Sequence, residues 1–323
     1  MSSTETQQKD RPGSRPPGRQ KGERDRAPHD TGMRRREERA AYLFVLPFLI
    51  VFVAMLVVPL AYSGYLSFFR QRLIGATSFV GLENYVRAVQ DQTFLDGVMR
   101  MVQFLLIQVP IMLTLSLVFA LILDSGRLRL QRFVRLSIFV PYAVPGVIAA
   151  LMWGYLYGRD FGPFAQVARA LDMAPPQFLS HEVMLYSIMN IVTWSFVGYN
   201  MIIIFAALRA IPTELYEAAR VDGAGEVRVA WSIKIPAVRP ALLLTTIFSV
   251  IGTFQLFNEP NILRSIAPNV IGVGYTPNLY AYNLAFIGRE INYAAAIAFL
   301  LGTVIMAVSY VVQLSALRKE RRS

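Results

Sequence analysis

The residues of this chain able to do chemistry are few, and they exchange hydrogen bonds rather than attack bonds. Asn190, Trp194 and Asn200 interrupt one long apolar run, and Ser249, Gly252, Gln255 and Glu259 interrupt the next. Exposing polar groups to hydrocarbon is costly, so such groups face the inside of a helix bundle or a polar passage. Ser249 with Gly252, and Gln255 with Glu259, stand at i, i+3 and i, i+4, which places each pair on one helix face. Two readings follow. One is a polar pathway for a hydroxyl-rich solute, with Trp194 offering its ring to the apolar face of a sugar. The other is close helix packing through small residues and interhelical hydrogen bonds.

Signals for catalysis are poor. The chain has no cysteine and two histidines, His29 and His181, so a thiolate site and a histidine cluster are both excluded. No Gly-Lys-Ser/Thr sequence is present, hence no P-loop. Gly272 and Gly274 begin a dinucleotide fingerprint, but Pro277 takes the third glycine position. No acid, base or metal cluster of a membrane enzyme converges in the apolar runs.

A second constellation lies in the polar stretch from Ile211 to Pro240. Pro212 and Thr213 open a short helix, with Thr213 as its expected cap and Glu214 and Glu217 near its positive end. Asp222, Gly223 and Gly225 form a turn where positive φ is cheap, and a second short helix is expected from Glu226 until Pro236 stops it. The apolar residues here are too few for a separate core, so this knob leans on a partner or on the rest of the chain.

These groups must be carried by membrane helices. With 54% hydrophobic residues and a mean hydropathy of +0.43, the chain cannot hide its apolar surface in a soluble fold. About 20 helical residues cross a hydrocarbon core of roughly 30 Å. Six stretches qualify: Ala41–Phe69, Val98–Leu123, Phe133–Tyr157, Met184–Leu208, Ala241–Phe257 and Tyr293–Leu317. The fifth reaches full length only if helix continues through Gln255 to Pro260. The expected fold is therefore all-α, with six transmembrane helices over residues 40–317. A disordered basic tail precedes them at 1–39 and a short tail follows at 318–323.

The net charge of +11 marks membrane edges rather than a nucleic-acid surface. Arg34, Arg35, Arg36 and Arg39 precede the first span. Arg127, Arg129, Arg132 and Arg135 flank the second connection, the knob carries Arg209, Arg220, Arg228, Lys234 and Arg239, and Arg318, Lys319, Arg321 and Arg322 close the chain. By the positive-inside rule both termini and the knob are cytoplasmic. The basic tail could also touch anionic membrane lipid.

The spacing Glu217, Ala218, Ala219, then Gly223, then Ile233 and Pro236 resembles the EAA loop of permease subunits in binding-protein-dependent ABC importers. The wording from Pro212 to Ala224 is similar to that of carbohydrate importers of the maltose and glycerol-3-phosphate type. Where that family usually has Leu-Pro, this chain has Ile235 and Pro236, which keeps an apolar residue before the proline. Phe79 to Tyr85 resembles a segment that sugar permeases carry after the first span, and Asp160 to Pro163 is a looser likeness. The Gly-Gly-Pro element often found beyond the fifth span is replaced here by Arg264 to Pro268 and by Gly272 to Pro277.

The resemblance implies the type I ABC importer permease fold and the membrane of a bacterial or archaeal cell. It implies a second homologous permease, two ATP-binding subunits and an extracytoplasmic solute-binding protein that delivers a sugar, oligosaccharide or glycerol phosphate. ATP and Mg would sit on the partner ATPase, leaving this chain without a cofactor. Within residues 211–240 the first helix would enter a groove on that ATPase. Glu217 would meet a basic residue, Ala218 and Ala219 would allow close approach, Gly223 would set the elbow, and Asp222 would cap or brace it. A secondary transporter or channel is the alternative, and would show paired intramembrane charges or broken helices in matching halves, neither evident in the sequence.

Overall fold

In the computed structural model residues 31–71, 77–126 and 128–320 are described, and they are mostly helical. The basic positions Arg72, Arg127, Arg321 and Arg322 lie outside them, as does the tail up to residue 30. Contacts divide the chain into two units, residues 1–58 and 59–323. In the first, α1 (Thr31–Phe52) runs into a π-helical turn at Val53–Val57. Helix thus begins within the stretch expected to be unstructured. Arg, Glu and Ala favour helix, and a helix nucleated by the apolar run extends backward through them at little cost.

The second unit begins at Pro59, within α2 (Val58–Ser67). A two-residue ladder pairs β1 (Phe69–Arg70) with β2 (Ser78–Phe79). Next come α3 (Glu83–Gln90) and α4 (Gln92–Asp124). The segment from Phe79 to Tyr85 staples this region together: Asn84 Nδ2 donates to the carbonyls of Ser67 and Phe69, and the Tyr85 hydroxyl meets Ser67 Oγ at 2.7 Å.

After α4 the chain forms α5 (Gln131–Ala143), α6 (Gly146–Leu156), α7 (Pro163–Ala170) and α8 (Met184–Arg209). The knob contributes α9 (Thr213–Val221), α10 (Glu226–Val229), a π-helical turn at Ala230–Lys234 and α11 (Ile235–Ala237). Then come α12 (Arg239–Phe254), α13 (Asn258–Ile266), α14 (Pro277–Tyr282), a π-helical turn at Asn283–Ile287 and α15 (Ile291–Glu320).

Packing in the bundle is clearest along α4. On α4, Phe94, Gly97, Met101, Phe104, Gln108, Met112, Ser116, Ala120 and Leu123 are buried at helical spacing, while Leu106, Ile111 and Ile122 are exposed. That stripe runs along α8, the most extensive helix pairing in the unit. The main core gathers Phe104, Ile188, Ile191, Phe254 and Leu263. A second cluster, Leu123, Ile204, Leu208 and Val238, sits where α4 and α8 end, and a third holds Phe94, Leu284, Tyr293 and Ile297 together.

Among the described residues four helices are long and apolar enough to cross a membrane, and six spans result if each bent pair counts as one. The expected continuous span Phe133–Tyr157 is broken between α5 and α6, which meet at 99°. Pro145 lacks an N–H and its ring forces Val144 into an extended conformation, with ψ of 124°, so the helix cannot pass. The fifth span also differs. Helix does not continue through Gln255: α12 stops at Phe254 and α13 starts afresh at Asn258. Broken helices, which the sequence did not reveal, are thus a feature of this fold.

Candidate functional site

A cavity of about 290 Å³ lies where α4, α8, α12 and the α12–α13 break converge. From α4 comes Gln108, from α8 Phe196, Tyr199 and Asn200, and from α12 Phe248, Ser249, Gly252 and Thr253. Gln255, Phe257, Asn258 and Glu259 line it from the break and the start of α13. Asn200, Gln255 and Glu259 are thus brought together. The route differs from the expected shared helix face, because Gln255 ends one helix and Glu259 belongs to the first turn of another. Ser249 and Gly252 do share a face of α12, and a methyl placed on Gly252 would meet nothing within 4 Å. Gly252 therefore opens space in the cavity instead of seating a neighbouring helix.

Trp194 lies elsewhere. Its ring packs edge-on against Trp153 at 5.8 Å, beside the main core. Asn190 likewise donates to the Tyr157 hydroxyl at 2.7 Å. Gln108 joins the site from α4, a span that does not flank the polar stretch. Its amide between Ile107 and Val109, deep in an apolar run, is the signal that would have found it.

The cavity's chemistry is that of hydrogen bonding. Ser249 Oγ donates to the Thr245 carbonyl at 2.7 Å and Thr253 Oγ1 to the Ser249 carbonyl at 2.9 Å, so their hydroxyl protons are used within α12. Their lone pairs stay available as acceptors. Gln108 donates to Thr193 Oγ1 at 3.2 Å and Asn200 to the Phe196 carbonyl at 3.1 Å, which fixes both amides. Tyr142 of α5 stacks on Tyr199 at 4.6 Å and meets Phe196 edge-on, giving the wall a braced aromatic surface. Glu259 is 8% exposed and the cavity contains no Lys, Arg or His. Its Oε1 would lie 3.6 Å from a methyl on Gly146, the first residue of α6, so the carboxylate sits beside a helix N-terminus whose dipole favours negative charge.

The knob is the second part of the site. Pro212, rather than Thr213, occupies the position before α9, and no side chain caps that end. Pro212 has an extended ψ of 136° and Thr213 is already helical, so its hydroxyl is past the capping position. At the other end the Ala224 amide donates to the Ala219 carbonyl and the Gly223 amide to the Arg220 carbonyl. That pair of bonds needs a left-handed residue, and Gly223 supplies it with φ of +73°. Asp222 is the cap residue through its backbone, with an exposed side chain.

Pro236 does not end the second knob helix. Helix continues to Ala237 because a π-helical turn, closed by the Ile235 amide on the Ala230 carbonyl, precedes the proline and places it in a new first turn. The chain bends by 62° only at Val238.

The knob has two faces. Inward, Val229 and Val238 are buried and Tyr216, Ala219, Ile233 and Pro236 are half-buried. Lys234 Nζ lies 2.6 Å from Asp124 Oδ2 at the end of α4 and 5.2 Å from the centre of the Tyr216 ring. Burial first, and then the Asp124 carboxylate, push the Tyr216 phenol above its ordinary pKa. Outward, Glu217 and Ala218 are exposed beside Leu215, Val221, Val227 and Trp231, the last at 69% exposure.

Residues 88–319 match the family described as binding-protein-dependent transport system inner membrane component. The arabinooligosaccharides transport system permease protein AraP of Bacillus subtilis is 27% identical over 85% of this chain and 88% of its own length. The trehalose/maltose transport system permease protein MalF of Thermococcus litoralis is 29% identical over 86% of this chain and 92% of its own. The lactose transport system permease protein LacF of Rhizobium radiobacter is 30% identical over 87% and 95%. Among solved structures, a chain of a bacterial ABC transporter involved in the import of alginate superposes with a TM-score of 0.78. It is 18% identical and covers 89% of this chain and 98% of its own.

Proposed function

This chain belongs to the binding-protein-dependent transport system inner membrane component family, and on that premise we propose that it carries a sugar or oligosaccharide through the cavity described above. It is a multi-pass membrane protein and the permease subunit of an ABC importer. The observation that carries the solute class is the lining itself. Amides, hydroxyl lone pairs and one carboxylate match hydroxyl groups, and Phe196, Tyr199, Phe248 and Phe257 match the apolar faces of pyranose or furanose rings. Its volume lies at the lower edge of small-ligand sites, about 300–1,000 Å³. The named relatives move arabino-oligosaccharides, trehalose or maltose, and lactose.

The assembly holds a second permease, two ATP-binding subunits and an extracytoplasmic solute-binding protein. The outward face of the knob docks on the ATPase, which binds ATP and Mg, and both termini share the cytoplasmic side with it. Absence of a P-loop in this chain supports that division of labour.

The test replaces Gln255 or Glu259 by Leu and measures uptake of maltose, lactose and arabino-oligosaccharides by the assembled transporter, alongside recovery of the ATPase in a pull-down. Altered uptake or selectivity with intact assembly is the expected result. Unchanged kinetics in both variants would assign these residues to packing.

A further inference from the structure

We propose that Lys234 and Asp124 form the strut through which movement of the knob reaches α4 and the cavity wall that α4 carries. This rests on the importer reading, and it assigns a role to two residues that lie outside both the docking face and the solute pathway. Lys234 Nζ and Asp124 Oδ2 are 2.6 Å apart, with side chains only 15% and 6% exposed. Asp124 is the last residue of α4, where the helix dipole is negative and a carboxylate is the wrong sign. The ammonium of Lys234 corrects that mismatch, which binds the two groups beyond an ordinary surface pair.

Geometry makes Lys234 a junction of three elements. It is the last residue of the π-helical turn of the second knob helix, its Nζ lies over the Tyr216 ring of α9, and it pairs with α4. Both helices of the knob thus meet the end of α4 at one ammonium. The chain itself ties the knob to α8 before it and to α12 after it, whereas α4 lies far off in sequence. The same α4 bears Gln108, on the cavity wall about four turns from Asp124. A displacement of the knob therefore has a non-covalent route to the wall along α4, in which Pro110 lies between the two residues.

A route of this kind is established only by coupling measured between its members, not by position between two sites. The experiment uses the assembled transporter in proteoliposomes and needs no knowledge of the solute. Gly252→Cys introduces a single thiol into a chain that has no cysteine, at a position facing the cavity with open space around it. An impermeant maleimide reports how fast that thiol reacts with ATP present or absent. In the otherwise native chain ATP changes the rate. With Lys234→Met plus Asp124→Leu, which removes both charges and leaves neither buried alone, the transporter assembles and hydrolyses ATP. Its ATP-dependent change in labelling falls by about tenfold, inside the roughly 5–150-fold that coupling between sites spans.

The exchanged pair Lys234→Asp with Asp124→Lys restores part of the response, which a merely structural loss would not do. An undiminished response in the uncharged double variant, with the ATPase bound, overturns the strut. Labelling that ignores ATP in the native background overturns the importer reading, and the strut with it.

Discussion

The crossing of α5 and α8 gives a test of site geometry through a single methyl. A Cβ on Gly198 would lie 2.7 Å from the Ile138 carbonyl carbon and 2.8 Å from the Phe139 Cα, with the Ile138 oxygen closer still. Carbon atoms in contact sit at about 3.5–4.0 Å, so the helices must part by roughly 1 Å. These are backbone atoms, and no side chain can turn aside. Overpacking of this kind costs roughly 3 kcal/mol at the upper end of its usual range, and alanine's better helix propensity returns about 1 kcal/mol. The net expectation for Gly198→Ala is a loss of about 2 kcal/mol, or a fall of roughly 4–8 °C in the thermal midpoint of the purified protein. Uptake falls as well, since the same crossing holds Tyr142 on Tyr199 at the cavity wall. Gly252→Ala is the control, because nothing lies within 4 Å of its methyl. Equal midpoints for wild type and Gly198→Ala would refute the close crossing.

Three further outcomes are expected. A cysteine placed at Ala224 should be shielded from an impermeant thiol reagent in intact cells while cysteines at Ser180 and Asn269 react; labelling at 224 from outside would overturn the assigned orientation. Glu217→Lys, Gly223→Pro and Ala219→Trp should insert normally yet recover little ATPase in a pull-down, and wild-type recovery and uptake in all three would remove the knob from coupling. Asp91 accepts the Thr93 and Phe94 amides at the start of α4 and the hydroxyls of Tyr280 and Tyr293, both at 2.7 Å. Burial pushes its carboxyl up, but those four hydrogen bonds outweigh it and hold the pKa below its ordinary value. A carboxylate held low stabilises the fold above the unfolded pKa of about 3.9 and loses that contribution as pH falls through the folded value. Asp91→Ala should cost about 2 kcal/mol at pH 7, from a lost cap and lost charged hydrogen bonds. The gap to wild type should narrow at pH 3, and a gap independent of pH would contradict this account.

The knob was the most legible part of the molecule because its geometry is set by local backbone rules. Pro212 and Pro236 fix φ and lack a donor, and Gly223 makes a left-handed turn cheap, wherever they stand, so the two helices and the elbow could be placed from sequence. Even there Pro236 was misjudged as a stop, because a π-helical turn spends one extra residue before the proline and lets helix resume. The breaks at Pro145 and Gln255 were hidden by the hydrophobic length of the runs around them. Apolar length reports what lipid tolerates, and it does not report whether a helix passes through.

Pairings across the chain were the least legible. Lys234 and Asp124 stand 110 positions apart, and neither is unusual beside its own neighbours. The glycines make the same point from within the bundle. Gly198 lies within α8 and Gly252 in the last turn of α12, and for small residues in spans close packing is the ordinary reading. The structure gives them opposite roles: Gly198 is pressed against the backbone of α5, while Gly252 faces open space beside Gln255 and Glu259. What separates them is which neighbour lies across the helix. The breaks settle that, since the turn after Phe254 brings Asn258 and Glu259 to the cavity that Gly252 leaves open. A continuous helix through Gln255 would have placed Glu259 on the same face without opening a cavity, so the break creates the space and the polar lining together.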